Sequence, residues 1–176
     1  MSSIAESKLT SLDTSYQRRA YEVERAIDPK YSPPGVVIVR DTSEKPAEVE
    51  IIPALKHLIL FGGNVVGFCN VKTNYYTEER WFNGIRLDDD YRNQGLGIAT
   101  YKEAIVAAIM QGLSFRTDEM LKASAKERWE KLAAIGVARA IREFEPAGPD
   151  WFRGYYKVEA TPSKEMSSDP IIGGAN

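Results

Sequence analysis

The residues of this 176-residue chain best equipped for chemistry lie in one run, Leu87-Asp-Asp-Asp-Tyr91-Arg92-Asn93-Gln94-Gly95-Leu96-Gly97-Ile98-Ala99. It falls where a β pattern gives way to a helical one. The first N–H groups of a helix lack intrahelical acceptors, and the aligned peptide dipoles put partial positive charge there. A diphosphate suits such an end. Glycines at 95 and 97 carry no side chain to hold phosphates off the backbone, and Arg92 offers charge-assisted contacts. A dinucleotide fingerprint would need G-x-G-x-x-G, and here Gly95-Leu96-Gly97 is followed by Ile98-Ala99-Thr100. No G-x-x-x-x-G-K-[ST] string occurs in the chain. A glycine-rich turn that binds nothing fits the same spacing.

Few other side chains invite chemistry. Glu78, Glu79 and Asp88 to Asp90 are acidic runs that read equally as solvated loops. A metal site would need spaced partner ligands, and the chain has one histidine, so no metal is expected. His57 on a strand and Cys69 in a β-branched stretch read as packing residues. Trp81, Phe82, Trp151 and Phe152 read as core or groove walls rather than platforms for nucleic-acid bases.

The elements that must position the run follow from periodicity. Leu9, Leu12, Tyr16, Ala20, Val23 and Ile27 recur every three or four residues and predict a helix over 2–27, stopped by Asp28-Pro29 and Ser32-Pro33-Pro34-Gly35. Strands are expected over 36–40 and, more weakly, 48–52. A hairpin follows: 56–61 and 65–72 are β-like, and Gly62-Gly63-Asn64 supplies a tight turn. Another strand is expected over 80–87. From Gly97 to Gln111 the period becomes helical and Gly112 can end the helix. A brief strand over 113–117 precedes a helix opened by Ser124-Ala125-Lys126-Glu127, which has capping-box form. Two last strands are expected over 137–144 and 151–160, joined by a Pro/Gly loop. This order predicts a mixed sheet with helices on its faces.

Composition bounds the setting. The net charge of −2 argues against a general nucleic-acid binder, and one cysteine excludes an internal disulfide. The start lacks a leader pattern, and the longest apolar runs fall far short of the ~20 residues that span a bilayer. A soluble, cytoplasmic protein is expected. It divides into an N-terminal helical segment over 1–30, a domain over 31–160 and a loose tail over 161–176.

Arg92-x-x-Gly95-x-Gly97, between a strand and an amphipathic helix, resembles the R/Q-x-x-G-x-G/A pyrophosphate motif of the GNAT N-acetyltransferase superfamily. Phe61-Gly62-Gly63-Asn64-Val65-Val66-Gly67-Phe68 resembles that family's central hairpin. Leu87 stands where the fourth strand ends on an apolar residue. Ala125-x-x-x-Trp129-Glu130-Lys131-Leu132 with Gly136 resembles its A-x-x-F-Y-E-K-x-G-F helix, and the match spans about 56–141.

The resemblance implies an α/β (α+β) single domain with a GNAT-like mixed, mostly antiparallel sheet flanked by helices, plus an added N-terminal helix. It implies acetyl-CoA as the acyl donor, held by Leu87, Arg92, Asn93, Gln94, Gly95, Leu96, Gly97, Ile98 and Ala99. Amides from Gln94 to Ala99 would hold the diphosphate, and Leu87 and its neighbours would pair with the pantetheine arm where the fourth and fifth strands splay. An amine (a protein lysine, an N-terminus or a small molecule) would then attack the acyl carbonyl directly. Glu79 is the nearest candidate base, with Asp88 the alternative. The acid position, a tyrosine in the family, is Trp129 here; Ser124, Tyr155 and Tyr156 are substitutes, and Lys122 stands where many members have asparagine. These departures leave a second reading, a catalytically silent GNAT-like module that binds a protein partner. The acidic runs would suit a cationic acceptor, and a monomer or homodimer is expected.

Overall fold

The computed structural model of the chain describes residues 15–27, 30, 32–43 and 50–161. In chain order these form α1 (Ser15–Ala26), β1 (Val37–Arg40), β2 (Leu55–Phe61), β3 (Asn64–Asn74), β4 (Glu79–Leu87), a 3-10 turn (Asp89–Tyr91), α2 (Leu96–Met110), β5 (Ser114–Arg116), β6 (Met120–Lys122) and α3 (Ala123–Ala134). The short strands β7 (Arg139–Ala140), β8 (Glu145–Pro146), β9 (Trp151–Arg153) and β10 (Tyr156–Val158) complete the fold.

Seven strands make the main sheet, in the order β1-β2-β3-β4-β5-β10-β7. All neighbours run antiparallel except β4 and β5, which are parallel. Parallel neighbours need a crossover, and α2 supplies it. The core lies between α2 and one sheet face. Ile59, Cys69 and Phe115 of the sheet meet Leu96, Ile105, Ala108 and Ile109 of α2 there, all essentially without exposure. α1 buries Ala20 and Val23 and packs along α2. Arg19 ties it to the carbonyls of Val137 and Glu159. None of the described helices is long and apolar enough to cross a membrane.

Several expected elements differ. Residues 50–52 form no strand, and 44–49, like residues 1–14 of the first helix and 162–176 of the tail, lie outside the described residues. The expected strand over 137–144 is reduced to Arg139–Ala140. The expected strand over 151–160 is two, β9 and β10, which belong to different sheets: β9 pairs with β6 and β8, β10 with β5 and β7. Gly154 breaks it, with φ of +152° and the Phe144 ring where a Cβ would stand. The capping box does not form. α3 begins at Ala123 with Lys122 as N-cap and no side-chain cap bond, which leaves Ser124 exposed in the first turn.

Candidate functional site

Two features of β4 create an opening beside it. β5 pairs with β4 only from Glu79↔Ser114 to Trp81↔Arg116, so the β5 side of β4 from Phe82 onward has no strand neighbour. The register between β3 and β4 also slips, from Cys69↔Ile85 to Val71↔Phe82, which places one extra residue in β4. Gly84, at φ +109°, takes the backbone conformation that this bulge needs. A bulge bends and over-twists its strand, which turns the end of β4 away from β5. The result is a fork, closed at Trp81–Arg116 and open toward Leu87.

Gly67 fixes the outer arm of the fork. It faces Leu87 across the β3–β4 ladder, and a Cβ there would run into the carbonyl of Arg86 and the Cα of Leu87. Glycine thus lets β3 lie close against the end of β4. The next amide, Asp88 N–H, donates to the Val66 carbonyl at 2.9 Å and anchors the start of the loop.

The loop then opens the helix. Asn93 has φ of +60°, and Gly95, the N-cap of α2, has φ 79° and ψ 1°, a left-handed conformation that costs glycine little. No side chain caps this end. The first intrahelical bond runs from Ala99 N–H to the Gly95 carbonyl at 3.0 Å, so the amides of Leu96, Gly97 and Ile98 have no intrahelical acceptor. Leu96 and Ala99 turn their side chains into the core, and Thr100 Oγ1 closes on the Leu96 carbonyl at 2.7 Å. Side chains inward and free N–H groups outward make a cradle for an anion.

Arg92 behaves differently from the simplest expectation. Its Nε donates to the Leu87 carbonyl at 3.1 Å and its Nη1 pairs with Asp89 Oδ1 at 2.9 Å. It shapes the loop while keeping further N–H groups for a ligand. Gln94 Nε2 braces the same turn through the Asp90 carbonyl at 2.7 Å. A second guanidinium, not foreseen from sequence, lies across the cradle: Arg128 Nη1 is 3.1 Å from where a Cβ on Gly97 would be, and Leu87 Cδ1 is 4.0 Å away. Only the crossing of α3 over the start of α2 brings Arg128 here, and no local spacing signals that.

Aromatic rings line the core at the closed end of the fork. Phe82 of β4, Phe115 of β5 and Tyr101 of α2 meet at centroid distances of 5.1 to 6.3 Å, and Trp129 of α3 joins them. Burial pushes the Tyr101 phenol up, against a smaller opposing pull from the Trp129 indole. Trp129 Nε1 is buried without a well-formed hydrogen bond.

On the opposite sheet face, Glu79 points to the same side of β4 as Trp81. Its carboxylate pairs with Arg116 Nε at 3.3 Å and Lys157 Nζ at 3.0 Å, and accepts from Thr77 Oγ1 at 3.3 Å. Arg116 also lies over the Trp81 ring at 4.0 Å. Glu79 is therefore at the foot of the fork and already compensated by two cations. Asp88, by contrast, is exposed at the open end. Ser124 sits about 140° around α3 from Trp129, by helix geometry, and faces solvent. The structure brings Leu87 and 92–99 together, puts Glu79 at the other end of β4, and leaves Ser124 on the surface.

The acetyltransferase (GNAT) family model matches residues 12–132, more than half of the chain. Among solved structures, the chain resembles a GNAT family acetyltransferase from Elizabethkingia anophelis with acetyl-CoA bound. It is 12% identical, with 72% of this chain and 99% of that one covered and a TM-score of 0.50. It also resembles an IAA acetyltransferase from Bacillus cereus, at 14% identity, 71% and 99% coverage and a TM-score of 0.50. These are likenesses of fold. No curated protein matches it in sequence.

Proposed function

Because this chain belongs to the GNAT acetyltransferase family, we propose that it transfers an acetyl group from acetyl-CoA directly to an amine. The observation that carries the proposal is the cradle at the start of α2: three outward amides without intrahelical acceptors, glycines at 95 and 97, and Arg92 and Arg128 beside them. That arrangement fits a diphosphate. The fork fits the arm beyond it, since the unpaired edge of β4 offers a stretch of backbone from Leu87 toward Phe82 for an extended amide-bearing chain.

With the diphosphate at the cradle and the arm along β4, the acyl carbonyl lies at the closed end, near Trp81. The amine nitrogen attacks the carbonyl carbon, the C–N bond forms and the C–S bond breaks. Glu79 is the strand carboxylate nearest that point and takes the amine's proton in this reading, with its orientation held by Arg116 and Lys157. The same two cations offset its charge, so Glu78, Asp88 and Asp90, all exposed, are the carboxylates left to favour a cationic acceptor, and the acceptor remains a protein lysine, an N-terminus or a small amine.

Incubation with labelled acetyl-CoA and a panel of amines and peptides tests the proposal. Transfer to at least one acceptor, lost with Gly95→Asp/Gly97→Asp, supports it. Coenzyme A binding without transfer would favour the silent partner-binding module, a reading that Trp129 in the family's tyrosine position also motivates. No binding in either assay would sink both.

A further inference from the structure

A cavity of about 630 Å³ opens between α2 and strands β1 to β4, and none of the residues that line it belongs to the phosphate cradle. Small-molecule sites fall in the range of ~300–1,000 Å³. The cavity exists because of what α2 presents to it. Glu103, Ala104, Ala107 and Gln111 recur at helical spacing along that flank, and the two alanines carry only methyl groups where longer side chains would close the gap. The facing wall is apolar, with Val36, Val71 and Phe82 among its residues, while Tyr75 stands exposed at the mouth.

One charged group is fixed in this wall. Arg80, half-buried on β4, donates through Nε to Thr73 Oγ1 and through Nη2 to Gln111 Oε1, each at 3.0 Å. Both acceptors are neutral. A guanidinium has five N–H groups, and these bonds use two. Among the described residues no carboxylate forms an ion pair with Arg80, although its guanidinium is held in place by two hydrogen bonds. A planar fork held by neutral acceptors beside apolar surface is pre-organised for an anion and has none.

The remaining polar groups fit that assignment. Glu103 lies eight residues before Gln111 on α2, hence about 12 Å from it along the helix axis. It is therefore at the far end from Arg80. Partial burial pushes its carboxyl up, as expected beside a poorly solvated wall. His57 Nδ1 lies 2.9 Å from the Leu55 carbonyl. In the neutral ring it donates there, which leaves Nε2 as an acceptor.

We propose that this cavity is a second ligand site, independent of the acyl-donor cradle, for a small apolar carboxylate. The carboxylate pairs with Arg80, and the hydrocarbon lies between Ala104 and Ala107 of α2 and the β1–β4 wall. Gln111 follows the last turn of α2 and Gly95 precedes its first, so the helix's length separates the two sites.

Octanoate and 1-octanol, titrated calorimetrically into the full chain, are the probes. Octanoate should bind roughly tenfold or more tightly than the alcohol, because a charge-assisted pair replaces a neutral contact. Arg80→Met should erase that preference and leave octanol binding as in the wild type. Ala107→Phe, on an exposed helix position where folding tolerates the ring, should abolish binding of both probes. Equal binding of the two probes, no octanoate binding, a preference that survives Arg80→Met, or binding that survives Ala107→Phe would each overturn the proposal. If Arg80→Met fails to fold, the probe comparison and Ala107→Phe decide it. None of these readouts uses acetyl-CoA, so they stand apart from the acetyl-transfer reading.

Discussion

Gly97→Asp should separate ligand binding from stability. A Cβ at 97 would stand 3.1 Å from Arg128 Nη1, 3.8 Å from its Cζ and 4.0 Å from Leu87 Cδ1. The closest atom is the tip of an exposed, flexible side chain, so the folded chain gives way by a small rotation of Arg128. The backbone at 97 is helical and in the first turn, where an acidic side chain is stabilised by the helix dipole by about 0.3–1 kcal/mol. Stability without ligand should hold or rise. Binding should not. The carboxylate stands in the cleft between Leu87 and Arg128, in front of the free amides, repels the diphosphate and draws Arg128 to itself. Losing two charge-assisted hydrogen bonds, at about 1.5 kcal/mol each or more, removes about 3 kcal/mol, roughly a hundredfold in Kd. Gly95→Ala is the control with the opposite sign: at φ +79° an L side chain costs about 1–2 kcal/mol, so this variant should melt lower even in buffer. Thermal unfolding with and without coenzyme A, together with calorimetry, reads both quantities. Gly97→Asp that binds coenzyme A within threefold of wild type would refute the cradle as the diphosphate site.

Gly67→Ala should be the more damaging glycine change, because its Cβ meets backbone atoms of Arg86 and Leu87 that cannot rotate away; overpacking of this kind costs about 1–3 kcal/mol, and urea unfolding should show it. Burial pushes the Cys69 thiol up to about 12, so in the native state it should stay unmodified by iodoacetamide at pH 8 and react only after denaturation. The same shift sets a pH dependence. Above about pH 9 the unfolded thiol ionises while the folded one keeps its proton, so stability falls as pH rises toward 12. Between pH 8 and 10.5 the wild type should lose on the order of 2 kcal/mol more than Cys69→Ala does. Glu79→Gln should lower kcat tenfold or more at pH 7.5 with the KM for acetyl-CoA unchanged, and an unchanged kcat would remove Glu79 from the role of base.

Elements fixed by local chemistry were legible in the sequence. The Gly62–Gly63 turn, the alternation on either side of it and the switch to a 3.6 period after Gly95 each express a backbone preference of a few adjacent residues. The strand end at Leu87 and the turn into the helix over 92–99 were legible as structure for the same reason. What sequence did not carry depends on distant partners. Residues 137–160 are cut into strands of two or three residues whose pairing is set by β5, β6 and each other. Arg128 reaches Gly97 only because α3 crosses the start of α2. The bulge at Gly84 is a register slip against β3, visible only once both strands are placed. Glu79 stands out in the sequence only as one of an acidic pair before Trp81; its two cationic partners come from β5 and β10 and give no local signal.

Trp129 shows how packing and chemistry compete for one position. The ring is fully buried, stacked within 7° of parallel to Phe115 and 15° to Tyr156, and edge-on to Tyr101 at 5.1 Å. Burying ~200 Å² of such a ring is worth about 5 kcal/mol, against about 1–3 kcal/mol for its unpaired N–H. Packing wins, and the indole is explained as core. In the acetyl-transfer reading, that leaves the departing thiolate without a phenol at the family's usual place. The nearby phenols do not replace it: burial pushes both Tyr101 and Tyr156 up, so each holds its proton more tightly than a free tyrosine. A group shifted in that direction is a worse acid for a thiolate. Tyr155, the remaining phenol among the substitutes, lies at the closed end of the fork, 5.5 Å from the Arg116 guanidinium that stands beside Trp81, so in the acetyl-transfer reading Tyr155 and water are the proton sources left.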